Sequence, residues 1–160
     1  MKTFAILIFF LTLTGMTFSQ VINDNASTKE IISLLANEKE NLKISYSKYS
    51  IPKSVQHTLS KLNGCTFRIS NSGRIYRKSD MVRIPFMPNK QLVFHSYLNN
   101  YGLVLYRQGG RGFQTHCIIY ELETSKVVKI ADCYVNNKID NLDSLLLKLY
   151  QEDLRFNNVW

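Results

Sequence analysis

The chain contains four consecutive runs rich in valine, isoleucine, tyrosine and phenylalanine, and only short turn sequences separate them. The runs are QLVFHSYL, GLVLYRQ, FQTHCIIYEL and KVVKIADCYV, and the turns are NNYG, GGRG and ETS. Residues of these types favour strands, and a parallel crossover needs a connection of about a dozen residues or more. The runs therefore predict an antiparallel meander in which each strand pairs with the next.

Helical patterns precede and follow the strand runs. Residues 25–42 begin with a capping box formed by Ser27 and Glu30, and residues 51–64 and 141–154 carry apolar residues at helical spacing. The sequence therefore predicts an α+β fold. We expect an antiparallel β-meander of about five or six strands, with two N-terminal helices and one C-terminal helix packed on one of its faces.

Two shorter extended runs lie between the second helical pattern and the meander. The runs CTFRIS and RIYRK flank the sequence Asn71-Ser72-Gly73, which is typical of a β-hairpin turn. The segment MVRIPFMPNK is also extended, but its two prolines restrict it to an edge strand or a connection. We therefore expect a hairpin ahead of the meander.

The N-terminal segment has the pattern of an export signal. Lys2 precedes an apolar run at residues 4–13, and TFSQ follows at residues 17–20. This pattern predicts a cleaved signal peptide over residues 1–19, and residues 20–160 then suit a single α+β domain. We expect a periplasmic or secreted protein without a transmembrane segment after signal removal, because no other apolar run is long enough to span a bilayer.

Basic residues are concentrated in the middle of the chain. The net charge is +8 at pH 7, and residues 64–113 hold eight basic residues against Asp80 alone. Most of the eight are arginines, whose planar fork suits carboxylate, sulfate and phosphate groups. We therefore expect an anionic ligand or partner, such as an acidic glycan, a lipid headgroup or an acidic protein. A solvated basic face that keeps the protein soluble is the alternative explanation.

Seven side chains are predicted to contact such a ligand. Pairing Gln108 with Phe113 places several polar residues at one end of an otherwise apolar sheet face, and polar groups at the mouth of an apolar concavity are typical of a ligand site. The seven residues are Arg74, Arg77, Arg107, Arg111, His95, His116 and Asp132. The aromatic residues expected to add flat surface are Tyr76, Tyr106 and Phe113.

The GGRG sequence shares only its glycines with phosphate-binding loops. A loop of the Walker type requires a lysine followed by serine or threonine and then a helix. GGRGFQTHC has no such lysine, and a strand run follows it. The glycines are therefore interpreted as hairpin residues with positive φ, and Arg111 at the tip is exposed to an anion.

Three cysteines, Cys65, Cys117 and Cys133, are an odd number for an exported protein. Pairing Glu121 with Lys129 in the last hairpin places Cys117 directly opposite Cys133. This register predicts a cross-strand disulfide between Cys117 and Cys133 in an oxidising compartment, which leaves Cys65 as the free thiol.

The sequence contains few signs of catalysis. It has no HExxH, GxSxG or CxxC motif, and His116 points away from Cys117 because neighbouring strand residues face opposite ways. His95, His116 and Asp132 are chemically able to hold zinc, but no metal and no cofactor are predicted.

The sequence therefore favours an exported, non-enzymatic binding module for an anionic ligand, with no specific nucleic-acid partner. The alternatives are an envelope interaction or inhibitor protein of the immunity type and a small hydrolase that uses a histidine cluster.

Overall fold

The computed structural model describes residues 24–79, 86–110, 112–135, 139–151 and 156–158. These ranges contain three α-helices and seven strands. In chain order they are α1 (Asp24–Asn37), β1 (Lys43–Ser45), α2 (Lys53–Leu62), β2 (Ile69–Ser70), β3 (Lys90–Leu98), β4 (Tyr101–Gln108), β5 (Gln114–Glu123), β6 (Lys126–Val135), α3 (Leu142–Gln151) and β7 (Phe156–Asn158). The predicted signal peptide, residues 1–19, lies outside the described residues.

The strands form one sheet in the order β1-β3-β4-β5-β6-β7, and every neighbouring pair in it is antiparallel. Only β2 departs from this pattern, because it lies parallel to the start of β3. The turn between β5 and β6 consists of Thr124 and Ser125, both with positive φ, as a two-residue type I′ hairpin requires. The predicted α+β architecture with an antiparallel meander is confirmed.

Helices cover both faces of the sheet. On one face, Leu35 of α1 and Leu145 of α3 belong to the same buried cluster as Leu103 and Leu105 of β4. On the other face, Val55 of α2 is buried in a second cluster with residues of β3 to β6. The expectation that all three helices pack on one face is wrong, because strands that are apolar on both sides require cover on both sides.

The ends of the helices match local sequence signals only in part. Asn141 caps α3, since its Oδ1 accepts a hydrogen bond from the Ser144 amide at 2.8 Å. Helix α1 begins at Asp24, so Ser27 lies inside the helix and the predicted cap is wrong. The Ser27 hydroxyl instead accepts a hydrogen bond from Lys129 on β6.

The predicted hairpin around Asn71 has its turn but lacks its second strand. The amide of Arg74 donates to the Asn71 carbonyl at 3.2 Å, and Gly73 has a φ of 71°. Residues 74–78, however, form no strand. They belong to an irregular segment, residues 73–79, which we call the strap.

Backbone hydrogen bonds attach the strap to the sheet. The amide of Arg77 donates to the carbonyl of Pro88 at 2.8 Å, and the amide of Gly110 donates to the carbonyl of Lys78 at 3.2 Å. Gly109 approaches the strap so closely that a Cβ atom there would lie 2.2 Å from the carbonyl oxygen of Arg77. The strap can therefore lie this close to the sheet only because residue 109 is a glycine.

The two registers predicted for the meander have different outcomes. In the β5–β6 hairpin, Glu121 pairs with Lys129 and Cys117 pairs with Cys133, as predicted, but a bulge after Glu121 pairs Leu122 with Val127 rather than with the expected Val128. In the β4–β5 hairpin, Gln108 pairs with Gln114 rather than with Phe113. Because a shift of one residue reverses the faces, β4 is inverted relative to the prediction.

A search for membrane-crossing helices among the described residues found none with the necessary length and apolar character.

Candidate functional site

A cleft lies between the strap and one end of the sheet. Its volume is about 780 Å³, which falls within the range of roughly 300–1,000 Å³ that is common for ligand pockets. The strap forms one wall, and Gln91 of β3 and Arg107 of β4 contribute to the other. The strap is held here by the Gln91 side chain, whose Nε2 donates to the carbonyl of Arg74 at 2.5 Å.

Four cationic side chains line this cleft, which we call the arginine cleft. They are Arg74, Arg77, Lys78 and Arg107. None of the described residues that line the cleft is aspartate or glutamate. The structure thus brings together three of the arginines selected from the sequence, while Arg111 lies outside the described residues.

Arg107 is largely enclosed and is paired with a carboxylate. Its side chain is 19% exposed, and its Nη2 forms an ion pair with Asp140 just before α3. Its Nε is buried and has no hydrogen-bond partner within the described part of the chain. Since Nε and Nη2 lie on the same edge of the guanidinium, a bound anion that accepts from both would satisfy Nε.

Apolar and aromatic residues complete the arginine cleft. Ile75 is 81% exposed and Phe113 is 57% exposed, so both present apolar surface at its rim. Tyr76 is buried beneath them, with the Lys78 ammonium 5.9 Å from its ring centroid. Burial raises the pKa of Tyr76, and the positive charge of Arg107 partly opposes this rise, which places Tyr76 within the electrostatic reach of Arg107.

His116 and Asp132 come together on the α2 face, as the sequence predicted. The Nδ1 of His116 lies 3.2 Å from each carboxylate oxygen of Asp132. The imidazole stacks on the ring of Tyr106 in β4, with ring centroids 4.8 Å apart. On its other side, the ring centroid of Tyr134 in β6 lies 4.5 Å from that of His116. Its Nε2 is buried without a hydrogen-bond partner among the described residues.

His95 lies on the same face but belongs to a separate hydrogen-bonded chain. Its Nδ1 is 2.8 Å from the Ser50 hydroxyl, and its Nε2 is 2.8 Å from the Tyr120 hydroxyl. The Ser50 hydroxyl donates its proton to the carbonyl of Ser47, so it accepts from the Nδ1 proton of His95, and Nε2 accepts from Tyr120. Burial lowers the pKa of His95 to about 4, and the imidazole is therefore neutral near pH 7.

This chain of hydrogen bonds does not have the polarity of a catalytic serine–histidine pair. A nucleophilic serine must donate its hydroxyl hydrogen bond to the histidine, whereas the Ser50 hydroxyl accepts a hydrogen bond from His95 here. Gly102 makes the chain possible, because a Cβ at position 102 would lie 2.4 Å from the Tyr120 hydroxyl oxygen. His95 is 1% exposed, and both of its ring nitrogens are hydrogen-bonded inside the protein. We therefore interpret it as a residue that stabilises the fold.

The predicted cluster of Arg107, His95, His116 and Asp132 does not form as a single site. With β4 inverted, Tyr106 rather than Leu105 pairs with His116, and Arg107 projects towards the α1 and α3 side. The prediction that Arg107 shares a face with His116 is wrong, because the β4–β5 turn holds one more residue than expected.

Cys117 and Cys133 are buried free thiols on paired positions, and Cys65 is exposed. The Sγ of Cys133 donates to the carbonyl of Cys117 at 3.5 Å. A hydrogen bond with Cys133 and burial raise the pKa of Cys117 well above its ordinary value. Cys117 is therefore a poor nucleophile in this state, and the disulfide stays a prediction.

Within the described residues, no group of three or more histidine, cysteine, aspartate or glutamate side chains is placed to hold a metal ion. Leu92, Phe94 and Val104 lie on strands that are apolar on both sides, and all three are buried. No protein-family model, curated protein or solved structure matched this chain, so the interpretation of the site depends on its own geometry.

Sequence reasoning missed two participants at the arginine cleft. Lys78 lines it and was part of the basic run RIYRK, so the run itself was an available signal. Asp140 is the other, and no local pattern connects it with Arg107, 33 positions earlier.

Proposed function

We propose that this protein is an exported, non-enzymatic binding module whose arginine cleft holds an anionic ligand. The proposal is supported chiefly by one observation, namely that Arg74, Arg77, Lys78 and Arg107 converge on one cleft with no acidic side chain among its described lining residues. Guanidinium groups recognise planar anions through paired hydrogen bonds. A cleft with this positive charge attracts anions from solution. Its affinity for them should fall as the salt concentration rises, because salt screens the attraction.

The apolar rim favours a ligand with more than charge. Phe113 and Ile75 offer exposed apolar surface next to the cations, and binding sites commonly combine such surface with a few polar groups that set orientation. A free inorganic anion uses none of that surface. An organic anion therefore matches the cleft better.

The test is the binding of a heparin-derived disaccharide and retention on a heparin matrix across a salt gradient. The variant is Arg74→Gln/Arg77→Gln, and the matched control is Lys61→Gln/Lys126→Gln, which removes the same charge from exposed positions away from the cleft. We expect the cleft variant to bind about tenfold more weakly than the control, from the loss of two ionic contacts near the surface. Equal loss in both variants would contradict the proposal and identify general charge attraction.

A protein-interaction role is the second candidate, and exposed apolar side chains favour it. Tyr49, Ile75 and Phe86 are each at least 80% exposed, and such groups often mark contact surfaces. Sizing chromatography tests this role through self-association, and capture from an envelope extract tests it through a partner. A monomer that captures nothing argues against it.

A further inference from the structure

A second basic cleft adjoins the arginine cleft. Its volume is about 500 Å³, and its lining includes Lys48, Tyr49, Arg68 and Phe86. None of its described lining residues is acidic. We call it the edge cleft, because it lies beside β2 at the edge of the sheet.

The two clefts share a wall made of three consecutive residues. Phe86 and Pro88 line the edge cleft, whereas Met87 lines the arginine cleft. Three residues span at most about 10 Å even when fully extended. The distance across the shared wall is therefore short enough for one elongated ligand to contact both sides.

A second connection joins the clefts at the start of the strap. The amide of Lys48, at the edge cleft, donates to Oδ1 of Asn71 at 2.8 Å. Asn71 begins the turn that leads to Gly73 and Arg74, which line the arginine cleft. Asn71 thus joins the backbone of the edge cleft to the first residues of the strap.

Phe86 stands on the shared wall in an unusual conformation. It has a φ of 67°, in the left-handed region, and its side chain is 86% exposed. A bulky residue with positive φ is a genuine outlier, and strain of this kind concentrates at binding sites. The chain therefore holds an aromatic ring in solvent between two basic clefts at a conformational cost.

We infer that the two clefts form one continuous site for an acidic oligosaccharide that carries carboxylate or sulfate groups and crosses Phe86. The inference rests on the proposed function and extends it from a single anion to an oligomeric one. The cations of both clefts would pair with the acidic groups, and the exposed rings of Phe86 and Phe113 would pack against the apolar faces of sugar rings.

Two other polymers match this surface less well. Single-stranded nucleic acids stack successive bases on several open aromatic faces, but lysine ammonium groups lie over Tyr49 and Tyr76, at 5.2 and 5.9 Å from their ring centroids. Among the described lining residues, only Phe86 and Phe113 then remain as exposed rings without a cation over them. An acidic peptide that adds to the sheet needs a free strand edge. Here β2 pairs with the first residues of β3, and the strap bonds to Pro88.

The experiment compares ligand length. Calorimetry measures binding of the purified full chain to the disaccharide and octasaccharide of galacturonate, which carry carboxylates, and to the corresponding heparin fragments, which carry sulfates. The edge-cleft variant is Lys48→Gln/Arg68→Gln, and Lys61→Gln/Lys126→Gln is the charge-matched control. Urea unfolding establishes that each variant is folded.

We expect the octasaccharide of at least one series to bind the parent protein at least tenfold more tightly than its disaccharide. The edge-cleft variant should lose about tenfold in octasaccharide affinity, as for two ionic contacts near the surface, with disaccharide affinity unchanged. A longer oligosaccharide offers more binding positions, so its affinity is first divided by their number. If the corrected affinity does not depend on length, the inference is overturned. It is also overturned if the edge-cleft variant binds the octasaccharide as tightly as the control variant does.

The arms of the experiment separate the two proposals. If neither disaccharide nor octasaccharide binds the parent protein, the proposed function itself fails. If both bind but length has no effect, only the continuous site fails. Oligothymidylate and oligoglutamate of matched charge are included, and tighter binding of either one than of both octasaccharides would overturn the choice of an oligosaccharide.

Discussion

Arg107, near the end of β4, forms an ion pair with Asp140, the residue that lies two positions before α3. Asp140 is 59% exposed at its side chain, whereas Arg107 is 19% exposed. The carboxylate therefore approaches the enclosed guanidinium from the solvent side and binds its Nη2. In the proposed site, Asp140 competes with an incoming anion for Nη2 of Arg107.

Replacing Asp140 by asparagine should strengthen anion binding. The competing charge is removed, and we expect the affinity for a heparin-derived disaccharide to rise about two- to fivefold, the range for one exposed ion pair. Calorimetry at constant salt measures this change. Asp143→Asn is the control, because it removes the same charge from a residue that pairs with Lys39 at 2.7 Å. An equal rise in both variants would show that net charge alone is responsible.

Replacing Gly109 by alanine should displace the strap. The new Cβ would lie 2.2 Å from the carbonyl oxygen of Arg77 and 2.6 Å from the Cα of Lys78, and backbone atoms do not move aside as the end of a side chain does. We expect a loss of about 1–3 kcal/mol in the free energy of unfolding together with weaker retention on heparin.

Gly112→Ala is the control for this prediction, since a Cβ at position 112 has no neighbour within 4 Å among the described residues. Urea unfolding and salt-gradient elution measure the two effects. If Gly109→Ala retains both the stability and the retention of the control, the close approach of the strap has no energetic role.

The stability of the protein should fall as the pH falls from 6.5 to 4 because of His95. The pKa of His95 is lowered by burial from 6.5 to about 4 in the folded protein, so the unfolded chain binds more protons in this window. The free energy of unfolding contributed by neutral His95 is fully present above pH 6.5 and is lost progressively as the pH falls, by roughly 3 kcal/mol in total.

Urea unfolding at several pH values measures this dependence, and His95→Gln isolates it from the other titrating groups. Glutamine has a donor and an acceptor for Ser50 and Tyr120 but does not titrate. The difference between the parent and variant curves should change across the window. Parallel curves would mean that His95 does not carry the effect.

Folding under oxidising conditions should join Cys117 to Cys133 and leave Cys65 as the single free thiol. The two residues are directly paired on neighbouring strands, and the bond should add at most about 3 kcal/mol because the closed loop is short. Thiol counting and peptide mapping of protein folded with oxidised glutathione measure the outcome. Three free thiols, or a bridge that includes Cys65, would contradict it.

The β5–β6 hairpin illustrates what local patterns determine. Glu121 opposite Lys129, and Tyr120 opposite Ile130, satisfy one register, and a shift by one residue places polar side chains against apolar ones. The same reasoning applies to α3, whose leucines at helical spacing are buried. In the hairpin the charged pair of Glu121 and Lys129 distinguishes the correct register from its neighbours, and in α3 the buried leucines mark one side of the helix.

The β4 strand shows where such reasoning ends. Leu103, Val104 and Leu105 are all 0% exposed, because helices cover both faces of the sheet. Either orientation of β4 buries apolar side chains, so periodicity does not select a register. The length of the β4–β5 turn decided it, and this moved Arg107 away from His116.

By itself, the sequence determined the α+β class, the meander, the last hairpin register and the concentration of basic residues in the middle of the chain. Only the tertiary structure decided that the strap lies against the end of the sheet and brings Arg74 and Arg77 to Arg107. The physical reason is that side-chain periodicity records which face of an element is buried. Contacts between distant segments depend instead on turn lengths and on close backbone approaches such as that of Gly109.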